Sequence, residues 1–73
     1  MKTVLVFKTS ISTDDKVRKV KPLLDNLVNS GEKWNFDLED CDNILRVEAV
    51  SIQASAIIKN LENAGFACKE LED

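Results

Sequence analysis

Hydrophobic and polar residues alternate with a period of two in three segments of the chain. Residues 33–39 and 44–49 alternate almost without interruption, which is typical of half-buried strands. The polar residues 40–43 between them predict a hairpin turn. Residues 3–9 are apolar on both sides, with Leu5 and Phe7 on one and Val4 and Val6 on the other, which predicts a central strand. Residues 66–71 predict a short last strand.

Two other segments repeat at steps of three and four residues, as amphipathic helices do. The first begins at Ser12 to Asp15, where a Ser or Thr can cap free N–H groups, with Ser12 preferred, and it is predicted to end near residue 29. The second is predicted to be capped by Ser51 and to end at Gly65, because glycine commonly follows the last turn of a helix.

The predicted order of elements is β, α, β, β, α, β. It predicts one α+β domain over residues 1–73, a ferredoxin-like βαββαβ sandwich. The antiparallel sheet has the predicted strand order 4-1-3-2, and both helices lie on one face. Three connections, residues 10–16, 40–43 and 65–67, then gather at one end of the sheet. A site built on loops is expected at that end.

Composition restricts the function further. Ten Lys and Arg against 13 Asp and Glu give a net charge of −3, which argues against sequence-independent nucleic-acid binding. The chain has no histidine, the commonest general base and metal ligand. It has no run of about 18 apolar residues and no signal-peptide pattern, so we expect a soluble cytoplasmic protein without membrane insertion. No enzyme motif stands out, and a non-enzymatic function without a cofactor is predicted.

The spacing Val17-x-x-Val20 and the ending Leu61-x-x-Ala64-Gly65-Phe66, together with length and element order, resemble the heavy-metal-associated domains of copper chaperones and metal-pumping ATPases. The resemblance covers nearly the whole chain. It implies a metal loop after the first strand, where the family carries Met-x-Cys-x-x-Cys. Here Thr13 and Lys16 occupy the positions of the two cysteines. A hydroxyl and an ammonium cannot replace two thiolates on a soft ion, so a degenerate member without the metal site is expected.

The chain's own cysteines, Cys41 and Cys68, fall in the hairpin turn and in the last strand. The predicted strand order puts them on opposite edges, about three strand spacings of 4.8 Å apart, too far for a disulfide. They are interpreted as free thiols. An altered metal carrier that uses one of them stays an alternative.

Asp37, Glu39, Asp40 and Asp42 form an acidic cluster that lacks the glycine and the final glutamate of a calcium loop.

Lys16, Arg18, Lys19 and Lys21 place four cations in six residues of the first helix. In the resembled chaperones, lysines of this helix meet an acidic partner protein, and the same role is predicted here, with an ordinary solvated face as the alternative.

Val4 and Val6 point away from the helices and suggest a homodimer through the sheet. Two classes of function follow: a protein-interaction module, or an ACT-like small-molecule regulatory dimer.

Overall fold

A computed structural model of the chain describes residues 3–39 and 43–71. Within them, four strands and two helices follow one another in the predicted order. They are β1 (Thr3–Thr9), α1 (Asp14–Leu27), β2 (Lys33–Asp37), β3 (Ile44–Ala49), α2 (Ala54–Asn63) and β4 (Cys68–Leu71). The strands form one antiparallel sheet in the order β2-β3-β1-β4, so the α+β class and the strand order are confirmed.

One face of the sheet and one side of each helix share a single hydrophobic core. Phe7 pairs with Leu45 and Leu5 with Val47, so the apolar side chains of β1 and β3 lie next to each other on one face. Helix α1 adds Val20 and Leu24 to this core, and α2 adds Ile57 and Leu61. The alternation in the sequence therefore identifies the buried face of the central strands correctly. No helix among residues 3–39 and 43–71 is long and apolar enough to cross a membrane.

Helix α1 begins one residue later than Ser12 would place it. Thr13, not Ser12, is the N-cap, because its Oγ1 accepts a hydrogen bond from the backbone N–H of Lys16 at 3.3 Å. The helix also ends at Leu27, before the predicted residue 29. Val28 has an extended backbone, and the N–H of Asn29 donates to the Glu32 carboxylate at 2.7 Å instead of continuing the helix.

The prediction that Ser51 caps α2 is wrong. The N-cap is Gln53, whose side chain makes no capping bond. Ser51 is held instead by its N–H, which donates to Glu32, and by its hydroxyl, which accepts from Asn29 Nδ2. These bonds hold residues 50–52 in the connection before α2, so the helix begins later than the polar pattern suggests.

The predicted end of α2 is confirmed. Gly65 follows the C-cap with φ of +93°, a left-handed conformation that glycine adopts without strain. Its N–H donates to the carbonyl of Glu62, and the N–H of Phe66 donates to that of Leu61, which is a Schellman motif. Because Phe66 still belongs to this helix stop, β4 begins at Cys68 and not at Phe66. Strand β2 likewise stops at Asp37, two residues before its predicted end.

Connections meet at both ends of the sheet. At the end we call the Thr9 end, the segment after β1, Asn43 and residues 66–67 come together, as predicted for three loops. At the opposite end, the Glu32 end, residues 28–32 meet residues 50–52. Residues 40–42, which include Cys41 and part of the acidic cluster, lie outside the described residues.

Candidate functional site

Two hydroxyl groups hold the connections of the Thr9 end together. The buried Thr9 donates from Oγ1 to the carbonyl of Asn43 at 2.8 Å, and the same oxygen accepts from the N–H of Ile11 at 3.1 Å. Asn43, the residue before β3, has φ of +51°, a left-handed conformation that asparagine adopts more readily than most residues. One neutral side chain thereby joins the hairpin to the segment that leads into α1.

Ser10 makes the corresponding link to β4. Its N–H donates to the carbonyl of Ala67 at 3.1 Å, and its Oγ accepts from the N–H of Ala67 at 2.9 Å. All hydrogen bonds named so far at this end are uncharged, so their strength does not depend on a titrating group.

Thr13 and Lys16, which correspond to the two cysteines of the resembled family, both take part in local structure. The Thr13 hydroxyl caps α1, and Lys16 Nζ lies 3.4 Å from the Ser12 hydroxyl. A hydroxyl that accepts from a backbone N–H and an ammonium group do not fit a soft cation. Within residues 3–39 and 43–71, no group of three His, Cys, Asp or Glu could hold a metal ion.

Cys68 lies beside this end, in β4, and is 8% exposed. Burial, with a smaller contribution from the charge of Glu62, raises the pKa of its thiol to about 11. At neutral pH only on the order of one thiol in ten thousand is then ionised, and the thiolate is the form that binds metals and attacks electrophiles. The geometry favours Cys68 as a packing residue of the core over Cys68 as a metal ligand.

The four predicted partner-binding cations do not form one row on α1. Each residue advances a helix by about 100°, so Arg18 and Lys21 flank one side of the buried stripe and Lys16 and Lys19 the other. Arg18, Lys19 and Lys21 are exposed, and Lys16 is half-buried. Among the described residues, none of the three exposed cations forms an ion pair.

The other face of the sheet is open and of mixed charge. Val4 is 56% exposed on it, whereas Val6 is half-buried opposite Arg46. Arg46 forms an ion pair with Asp37 at 3.6 Å, and Lys33 pairs in register with Glu48. A shallow concavity of about 330 Å³ lies on this side, lined by Val4, Lys33, Trp34, Asn35, Arg46 and Glu48.

The Glu32 end depends on one carboxylate that the sequence pattern did not single out. Glu32 is 7% exposed and accepts four backbone N–H groups, from Asn29 at 2.7 Å, Val50 at 2.7 Å, Ser51 at 2.9 Å and Ile52 at 3.0 Å. These bonds, the one from Ile52 foremost, lower its pKa from 4.5 to about 2. A single acid before a strand has no periodic signature, and its partners are up to 20 residues away in sequence.

Comparison of the chain with protein-family models, with curated proteins and with solved structures gives no match.

Proposed function

We propose that this chain is a small cytoplasmic protein-interaction module of the ferredoxin-like kind, related to heavy-metal-associated domains, that binds an acidic protein surface through α1. It acts without a catalytic group and without a metal. The observation that carries the proposal is the set of exposed cations Arg18, Lys19 and Lys21, which have no ion-pair partner among the described residues.

Their placement supports a role beyond solubility. The last turn of α1, where the helix dipole favours cations, contains no basic residue. The cations lie instead in the first two-thirds of the helix, on a chain with a net charge of −3. A local positive region on an acidic protein attracts an acidic partner and orients the encounter.

The first two residues of the helix, Asp14 and Asp15, limit what the partner can be. Asp15 lies one turn before Arg18 and Lys19, so the face is not uniformly positive. A polyanion such as nucleic acid, which needs a continuous basic surface, fits this pattern poorly. A protein with a few separated carboxylates fits it better.

The test is the binding of a fluorescent glutamate-rich peptide to the full chain. Changing Lys16, Arg18, Lys19 and Lys21 to Glu should abolish binding, and added salt should weaken it, because exposed charges are screened beyond about 10 Å at 0.1 M salt. The matched comparison uses two double variants of equal net charge, R18E/K19E on α1 and K59E/K69E elsewhere. Binding should fall at least about ten-fold in the first only.

Equal losses in the two double variants would show that net charge alone attracts the peptide and would refute the proposal. So would duplex DNA that binds as tightly as the peptide.

A second candidate, an ACT-like small-molecule regulatory dimer, is favoured by the concavity beside Val4. The concavity offers two cations, a carboxylate, an amide and an exposed valine side by side. A pocket of about 300 Å³ or more can hold a small metabolite. A rise in melting temperature with a ligand from a metabolite panel, removed by Arg46→Ala, would support it. No shift across the panel would argue against it.

A further inference from the structure

Among residues 3–39 and 43–71, strand β2 lies at an edge of the sheet and pairs with one strand only, β3. The edge consists of the five residues Lys33–Asp37, with the sequence Lys-Trp-Asn-Phe-Asp. An unpaired edge is a template for another strand unless its side chains oppose pairing.

The direction of the free backbone groups follows from the registers. Ser10 donates its N–H to the carbonyl of Ala67, in line with the β1–β4 register. The backbone N–H and C=O groups of even-numbered β1 residues are therefore directed toward β4, and those of odd-numbered residues toward β3. The β1–β3 and β2–β3 registers carry this alternation across the sheet. Trp34 and Phe36 then direct their N–H and C=O groups outward.

The side chains of this edge complement a second copy of themselves. In an antiparallel pair centred on Asn35, Lys33 lies opposite Asp37 of the other copy at both ends, and Trp34 lies opposite Phe36. Opposite charges and aromatic pairs across two strands are the stabilising combinations. A parallel pair in register would place Lys33 against Lys33, so the charges select the antiparallel arrangement.

We propose that two copies of this chain pair through their β2 edges, as antiparallel strands related by a two-fold axis at Asn35. The two sheets become one continuous sheet, and Trp34 and Phe36 supply four hydrogen bonds across the axis, two from each pair of facing residues. Such an interface is isologous and closed, so it stops at the dimer.

On the open face, charges of β3 next to this edge extend the alternation of opposite charges. Within one copy, Lys33 is the register partner of Glu48, and Asp37 is paired with Arg46. In the dimer, Lys33 lies between its own Glu48 and the other copy's Asp37, so negative and positive charges alternate across the joined strands. On the core face, Trp34 and Phe36 are in edge-to-face contact with centroids 5.8 Å apart and are half-buried, so each has surface left to cover.

This interface is not the open sheet face of Val4 and Val6, and it depends on neither candidate function above. A dimer can form whether or not α1 binds an acidic protein, so the two proposals fail separately.

The test is sedimentation equilibrium from about 1 µM to about 1 mM of the full chain, which spans the dissociation constants of weak and moderate dimers. The wild type should change from monomer to dimer. K33D and D37K each place like charges opposite one another at both ends of the interface, and the dissociation constant should rise on the order of ten- to thirty-fold.

Charge exchange makes the test specific. An equimolar mixture of K33D and D37K restores opposite charges at both ends and should form a heterodimer, and the double variant K33D/D37K should dimerise like the wild type. Glu70→Lys, on the exposed β4 edge, is the control and should leave the dimer unchanged. Circular dichroism confirms that each variant is folded.

A wild type that stays monomeric at the highest concentration overturns the proposal. A dimer that survives both single variants, or one that Val4→Asp abolishes while K33D does not, overturns it as well. In the expected case, hydrogen exchange at the Trp34 and Phe36 amides slows as concentration rises.

Discussion

The two ends of the sheet hold their connections together with different chemistry. At the Glu32 end, one ionised carboxylate gathers four backbone N–H groups from two connections. At the Thr9 end, Thr9 and Ser10 join the connections through neutral hydroxyl and backbone groups. A hydrogen bond to a charged group is about twice as strong as a neutral one but depends on pH. The connections of the Thr9 end are therefore joined by uncharged hydrogen bonds, and those of the Glu32 end by charged ones.

The largest effect is expected from Glu32→Ala. It removes the acceptor of four backbone N–H groups in a buried place, and unpaired buried donors are costly. In a domain of this size the melting temperature should fall on the order of 10 °C or more. Thermal unfolding followed by circular dichroism measures it, with Glu70→Ala as a surface control that should shift little. A fall of equal size in both variants would contradict the structural role of Glu32.

The next effect is the loss of stability in acid. The pKa of Glu32 is about 2 in the fold, below its ordinary value of 4.5. The unfolded chain therefore takes up a proton between these values, and this contribution to stability is present above pH 4.5 and is lost as the pH falls toward 2. Urea unfolding from pH 6 to pH 2.5 should show a smaller loss in Glu32→Gln than in the wild type. Parallel curves for the two proteins would refute the pKa assignment.

Thr9→Val should destabilise the fold at the Thr9 end, by less than Glu32→Ala does at the Glu32 end. The substitution keeps the shape of the side chain but leaves the Asn43 carbonyl and the Ile11 N–H without their partner, a loss of about 1–3 kcal/mol. Because no charge is lost, the acid sensitivity of this variant should follow that of the wild type. Urea unfolding at pH 7 measures the cost, and Thr9→Ser, which keeps the hydroxyl, should recover most of it. No difference between Val and Ser would contradict the hydrogen-bonding role.

The smallest effect concerns the reactivity of Cys68. With its pKa at about 11 against an ordinary 9.0, the native thiol should react with a thiol reagent roughly 100-fold more slowly at pH 7 than the unfolded chain does. The rate is measured in a Cys41→Ser background, in buffer and in urea. Equal rates would show that Cys68 is accessible to reagents and would favour the alternative function, an altered metal carrier that uses this cysteine.

Periodic patterns in the sequence predicted the elements, since burial on one face leaves a period of two or 3.6 residues. The order of those elements, with right-handed crossovers, predicted the sheet order. They placed the end of α2 at Gly65, because a left-handed residue there has a clear preference for glycine. They missed the cap of α2 and the end of α1. Both depend on Glu32, which binds residues distant in sequence, and a single side chain of that kind leaves no pattern. The choice of Thr13 over Ser12 as the cap also lay within the usual uncertainty of one residue at a helix end.

The candidate site was predicted in part. The gathering of loops at the Thr9 end follows from topology and is observed. The four cations were predicted as one face, whereas the helical positions of Arg18 and Lys19 separate them into two flanks.

The most direct test is a Cu(I) titration against a chromophoric chelator, because it asks whether the hydroxyl and ammonium groups of the Thr9 end are purely structural. The wild type, with Thr13 capping α1 and Lys16 beside Ser12, should yield every copper ion to the chelator. The variant T13C/K16C, which restores two thiolates at the positions of the resembled family, should retain one. Copper retained by the wild type, in competition with the chelator, would contradict the account.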